Sequence, residues 1–150
     1  MSTDFIIPMS GKLVSLEQVP DETFCQKKLG DGFAVILQGE VVVSPISGVV
    51  IAAFPTGHAF IIRREDGLEV LIHIGLNSAA KSEAFRMQIE KYQEIERGDV
   101  LVYIDRQKLG DTEADLVSPI VFANPGIRIN LLKSEQDVLV GDPDAVSVSL

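Results

Sequence analysis

Residues 56 to 78 read TGHAFIIRREDGLEVLIHIGLNS, two β-rich runs joined at Asp66-Gly67. A two-residue hairpin turn needs positive φ at its central positions, which Asp-Gly supplies, so the stretch predicts a tight antiparallel hairpin. Closure on that turn sets a register: Glu65 faces Leu68, Arg64 faces Glu69, Phe60 faces His73 and His58 faces Gly75. Strand residues of one parity share a face. One face then carries His58, Phe60, Ile62 and Arg64 beside Glu69, Leu71, His73 and Gly75. The only two histidines of the chain become diagonal neighbours, about 7–8 Å apart at the backbone, within reach of two imidazoles.

The rest of the chain repeats this grammar of short apolar runs broken by Gly, Pro and Asp. Lys12-Leu13-Val14, Phe33–Leu37, Val41–Val43, Val49–Ile51, Glu94–Asp105 and Ala145–Leu150 read as strands. Pro20 opens a one- or two-turn helix to about Lys28, with acidic residues at its positive end. Phe85, Ile89 and Tyr92 at helical spacing predict a helix from Ser82 to about Lys91, and residues 105–115 a loop or short helix. IPMSGKLV, SPISGVVI and SPIVFANP share a Pro-apolar core, and Gly39-Glu40, Gly98-Asp99 and Gly141-Asp142 repeat a Gly-acid turn. No fixed short period runs through, so the repeats predict two copies of one β motif rather than a solenoid. The expectation is a single all-β domain over residues 1–150: an antiparallel β-sandwich or flattened barrel with internal duplication and a few short helices.

Bulk properties narrow the function. A formal charge of −9 and a pI near 4.6 argue against nucleic acid and favour basic partners. With Cys25 alone, an intrachain disulfide and thiolate-rich zinc sites are excluded. No signal-peptide pattern and no run of about 18 apolar residues is present, so a cytoplasmic protein without membrane insertion is expected.

The chemistry then turns on two imidazoles. His73 interrupts Val70-Leu71-Ile72-His73-Ile74, where any apolar residue would pack at less cost than an unpartnered ring nitrogen. Thr56 can present a hydroxyl to either ring, and Gly75 permits close approach of a backbone or a phosphate. Hydrolytic zinc needs three protein ligands and a general base. A lysostaphin-like peptidase has a similar glycine-rich β framework, but a third histidine is lacking here. A biotinyl- or lipoyl-type carrier needs a lysine at a hairpin tip, and the Asp66-Gly67 tip has none nearby. In a third reading one histidine carries a phosphoryl group, because neutral imidazole is a nucleophile near pH 7 and phosphoryl transfer asks chiefly for positioning and charge stabilisation.

Gly67-Leu68-Glu69-Val70-Leu71-Ile72-His73-Ile74-Gly75-Leu76, Thr56-Gly57-His58-Ala59-Phe60, Val19-Pro20-Asp21, Gly30-Asp31-Gly32 and Pro45-x-x-Gly48 occur in an order that resembles the glucose-type enzyme IIA of the bacterial sugar phosphotransferase system. The resemblance covers about residues 4–148. It implies that Nε2 of His73 takes a phosphoryl group from phospho-HPr and passes it to a cysteine of enzyme IIB. It also implies that His58 contacts the phosphate and that Thr56 tunes the network. Asp31 corresponds to an acidic residue at the rim of the HPr face. Phe33, Phe54 and Leu71 are candidates for an apolar ring around the histidines, with Gly75 and Asn77 on the partner surface. Asn77-Ser78 replaces the family's Asp-Thr, which weakens an expected contact with an HPr arginine. The following loop is a residue short, and Tyr92 stands where glycine is common. No cofactor is required on this reading, although zinc could join His58 and His73 to a partner's carboxylate. The rival expectation is a regulatory or transporter-appended module that binds permeases or kinases according to its phosphorylation.

Overall fold

The computed structural model describes residues 5–150. Among the described residues, short runs of Val, Ile and Phe between turns become thirteen strands: β1 Gly11–Ser15, β2 Asp31–Leu37, β3 Val41–Val43, β4 Gly48–Ala53, β5 Ala59–Arg63, β6 Glu69–His73, β7 Phe85–Met87, β8 Glu94–Ile95, β9 Val100–Ile104, β10 Val117–Phe122, β11 Arg128–Leu131, β12 Asp137–Val138 and β13 Val146–Ser149. The helices are single turns: α1 Glu22–Cys25, α2 Arg106–Leu109 and α3 Glu113–Leu116. Eight strands form one antiparallel sheet in the order β12-β1-β2-β10-β6-β5-β4-β8. Its inner face packs Phe33, Phe60, Ile72 and Phe122 against Val42, Leu101 and Val102 of a three-stranded sheet and Val146 and Val148 of a two-stranded one. This is the expected all-β sandwich. A smaller cluster, with Leu16, Val19, Phe24, Val117 and Val121, covers part of the outer face under α1.

The duplication is visible in the order of the large sheet, which is a palindrome about the β10–β6 pair. Gly11 of β1 pairs with Val138 of β12, and Gly48 of β4 pairs with Ile95 of β8. Ile120 lies opposite Ile72 at the centre. The Gly-acid turns match too: Gly141 N and Gly98 N donate to Ile7 O and Ser44 O, at 2.8 and 2.9 Å. Of the repeated phrases, IPMSGKLV and SPISGVVI are true equivalents. SPIVFANP is not, because Pro119 lies inside β10, and Gly39 N donates instead to Ser10 O at 3.3 Å, a carbonyl not equivalent to Ile7 O and Ser44 O.

Two local expectations fail for physical reasons. The hairpin closes one residue differently: Ala59 faces His73, Ile61 faces Leu71 and Arg63 faces Glu69. Its loop has three residues, Glu65-Asp66-Gly67, with positive φ at Gly67 alone (95°); Arg64 N donates to Leu68 O at 2.8 Å. A one-residue slip exchanges faces, so Phe60, Ile62, Val70 and Ile72 point into the main core while Leu71 and His73 occupy the outer face. The helix expected over Ser82–Lys91 is a 3-10 turn at Ser82–Ala84 followed by β7, paired with β9. A spacing of four between Phe85 and Ile89 suits an extended strand as well as a helix.

Candidate functional site

His73 ends β6, and its Nδ1 lies 2.6 Å from Gly75 O. A carbonyl only accepts, so Nδ1 carries the proton and Nε2 keeps the free lone pair. The contact exists because Gly75 turns the chain back with φ 70°, a conformation that suits glycine. A Cβ there would come within 2.4 Å of Asp115 O. Gly75 N donates to Ser118 Oγ at 3.1 Å, Leu76 N to Ala114 O at 2.8 Å, and Ser78 Oγ to Ile74 O. The turn after the histidine is therefore docked on α3 and the start of β10.

His58 lies just before β5, where the pleat no longer fixes side-chain direction. Its ring meets His73 edge-on, with centroids 5.0 Å apart and planes at 81°. The pair comes together although the predicted register does not hold. His58 is 5% exposed, and its Nδ1 is buried without a hydrogen-bond partner among the described residues. Phe54 (43% exposed) and Phe85 contact its ring at 5.5 and 6.5 Å, and Phe24 of α1 contacts His73 at 5.4 Å. A register shift in β4 between Val50 and Ala52 falls just before Phe54, a bulge absent from the equivalent β1–β2 pair.

Burial holds both imidazoles below the usual histidine range. For His58 the neighbouring His73 adds to that effect; for His73 the Gly75 carbonyl and the charge of Asp21 oppose it without reversing it. Both rings are thereby biased toward the neutral form. The arrangement offers one nucleophilic Nε2 beside a second neutral imidazole, within an apolar rim.

Leu71, two residues before His73, is half-buried against the outer cluster. Asn77 is exposed on the loop that follows. The Thr56 hydroxyl donates to Ala79 O at 3.0 Å rather than to either ring. Asp31 opens β2 and pairs with Lys27 at 3.3 Å. Phe33 is wholly buried in the main core, packed on Phe5; strand parity puts it on the sheet face opposite His73, so it does not belong to the ring around the pair. Sequence reading overlooked Phe24, Phe85 and Asp21. Nothing local marks the first two, but Asp21 was legible as an N-cap, and it accepts from Thr23 N at 2.9 Å. Among the described residues, no group of three or more His, Cys, Asp or Glu side chains could hold a metal. Among the same residues, no helix is long and apolar enough to cross a membrane.

Fold and site together define a duplicated antiparallel β-sandwich bearing a paired-imidazole centre on the margin of its large sheet. Residues 3–126 match the family model for the phosphoenolpyruvate-dependent sugar phosphotransferase system, EIIA 1. The chain belongs to this family, and with it to the phosphotransferase components of sugar uptake. It is 34% identical over 142 residues to the glucose-specific EIIA component of Mycoplasma capricolum, spanning 94% of this chain and 92% of that one. The solved structure of glucose permease IIA from Mycoplasma capricolum superposes with a TM-score of 0.86 at 34% identity, covering 97% and 96% of the two chains. A glucose-specific EIICBA component of Streptococcus pneumoniae is 42% identical over 127 residues, 84% of this chain but 17% of that longer protein.

Proposed function

We propose that this chain is a histidine phosphocarrier that accepts a phosphoryl group from phospho-HPr on Nε2 of His73 and passes it to a cysteine of enzyme IIB in the cytoplasm. The observation that carries the proposal is the His73 Nδ1–Gly75 O contact at 2.6 Å, which leaves Nε2 as the nucleophile of a neutral ring. The Nε2 lone pair attacks phosphorus while the bond from phosphorus to the donor breaks, its electron pair staying with the donor. Onward transfer reverses the roles: the enzyme IIB thiolate attacks, the P–N bond breaks, and neutral His73 is restored. His58 assists. With Nδ1 buried and unpartnered, its proton belongs on Nε2, because a buried orphan N–H is the costlier alternative. That N–H can donate to a phosphoryl oxygen, the preorganised charge stabilisation this chemistry asks for.

Incubation with phosphoenolpyruvate, enzyme I and HPr tests this. The intact protein should gain an acid-labile phosphoryl group, and His73→Ala should not; an unchanged mass in the parent protein would refute the proposal.

A further inference from the structure

We propose that Lys81 and Asp115, neither of which touches a reacting atom, are positioning residues that hold His73 in its Nδ1–H form. The inference rests on the phosphocarrier reading only for its consequence in transfer. Its structural part stands alone.

Lys81 Nζ donates to Leu109 O at 2.7 Å and to Asp115 Oδ1 at 2.8 Å, so it spans from the loop after His73 to α2 and α3. Asp115 is buried and is fixed further by a capping box with Thr112, whose backbone N–H donates to Asp115 Oδ2 at 3.2 Å. Its backbone oxygen is the atom against which Gly75 is packed. The Gly75 carbonyl in turn sets the His73 tautomer. Lys81 N also donates to Ser78 O at 2.9 Å, and the Ser78 hydroxyl donates to Ile74 O. The loop is thus tied at both ends to the segment that must present one carbonyl to one ring nitrogen. Most surface ion pairs do little. This one is half-buried, makes two charge-assisted bonds, and lies two contacts from the nucleophile.

Without the ammonium, the loop loses its side-chain anchor on α2 and α3 and is left to its backbone bonds, the Gly75 carbonyl gains freedom, and the preference for the Nδ1 proton weakens. Long-range 1H–15N spectra of uniformly labelled protein at pH 8, with no phosphoryl donor present, read this directly. The parent protein should show His73 protonated at Nδ1 alone. Lys81→Met and Asp115→Asn should show averaged shifts of both tautomers, and Lys81→Arg should restore the parent pattern. Single-turnover phosphorylation by phospho-HPr should fall about 10-fold in the first two variants with little change in HPr affinity. Asp115→Asn is isosteric and carries the test should Lys81→Met fail to fold. Parent-like His73 shifts in either folded variant, or loss of fold in both, would overturn the proposal. A parent protein that shows the Nδ1–H form but accepts no phosphoryl group would refute the carrier reading instead.

Discussion

Burial disfavours the charged form of both histidines, and that has a sign that can be checked. Each ring has a folded pKa lowered from 6.5, so below pH 6.5 the unfolded chain binds more protons than the native one. Their contribution to stability is full above 6.5 and is lost as pH falls through 6.5 toward the folded values. Asp115, held at about 2 by the Lys81 ammonium and Thr112, does not titrate in that window. Urea midpoints should therefore drop between about pH 7.5 and 5.5, and the drop should be smaller in His58→Gln. An equal drop in both proteins would contradict the account. At Gly75 the constraint is steric: Gly75→Ala should cost about 2 kcal/mol in urea unfolding, because a Cβ collides with Asp115 O.

Elements show which parts of the sequence speak for themselves. The strands were legible because Phe33–Leu37 and Val49–Ile51 are β-branched or aromatic runs between turn residues. The hairpin register was not, because Asp-Gly serves a two-residue turn and the three-residue loop found here alike; the second form needs positive φ only at Gly67. Pairing of the histidines survived the error since His58 lies outside the strand. Non-local facts stayed hidden: that α1 lays Phe24 on His73, or that Thr56 is engaged by Ala79. The duplication supplies its own test. Tyr92 and Glu135 occupy equivalent positions, with φ of 72° and 64°, and their N–H groups donate to Val50 O and Leu13 O. Left-handed backbone costs a non-glycine residue roughly 1–2 kcal/mol. Tyr92, 71% exposed, gives up little when replaced, so Tyr92→Gly should raise Tm. Glu135 pairs with Lys12 and Gln18, so Glu135→Gly should raise it less or lower it. The reverse ranking in thermal melts would sink this reading of the equivalence.

At the scale of the molecule, two copies of one β motif build a scaffold and only one copy carries the histidine pair. The register places Val121 and Asp31 at the positions equivalent to His73 and His58. The outer face keeps an apolar rim around the pair on a chain of net charge −9. Charge of that size steers a basic partner and is screened by salt. The association rate with phospho-HPr should fall steeply between about 50 and 500 mM NaCl while the dissociation rate changes less, as stopped-flow mixing would show. The central claim concerns a single atom. Phosphorylating 15N-histidine-labelled protein and reading the 15N and 31P resonances at high pH tests it most directly. The account predicts one phosphoryl group, bonded to Nε2 of His73, with Nδ1 still protonated. A phosphoryl group on Nδ1 of His73, or on His58, would contradict it.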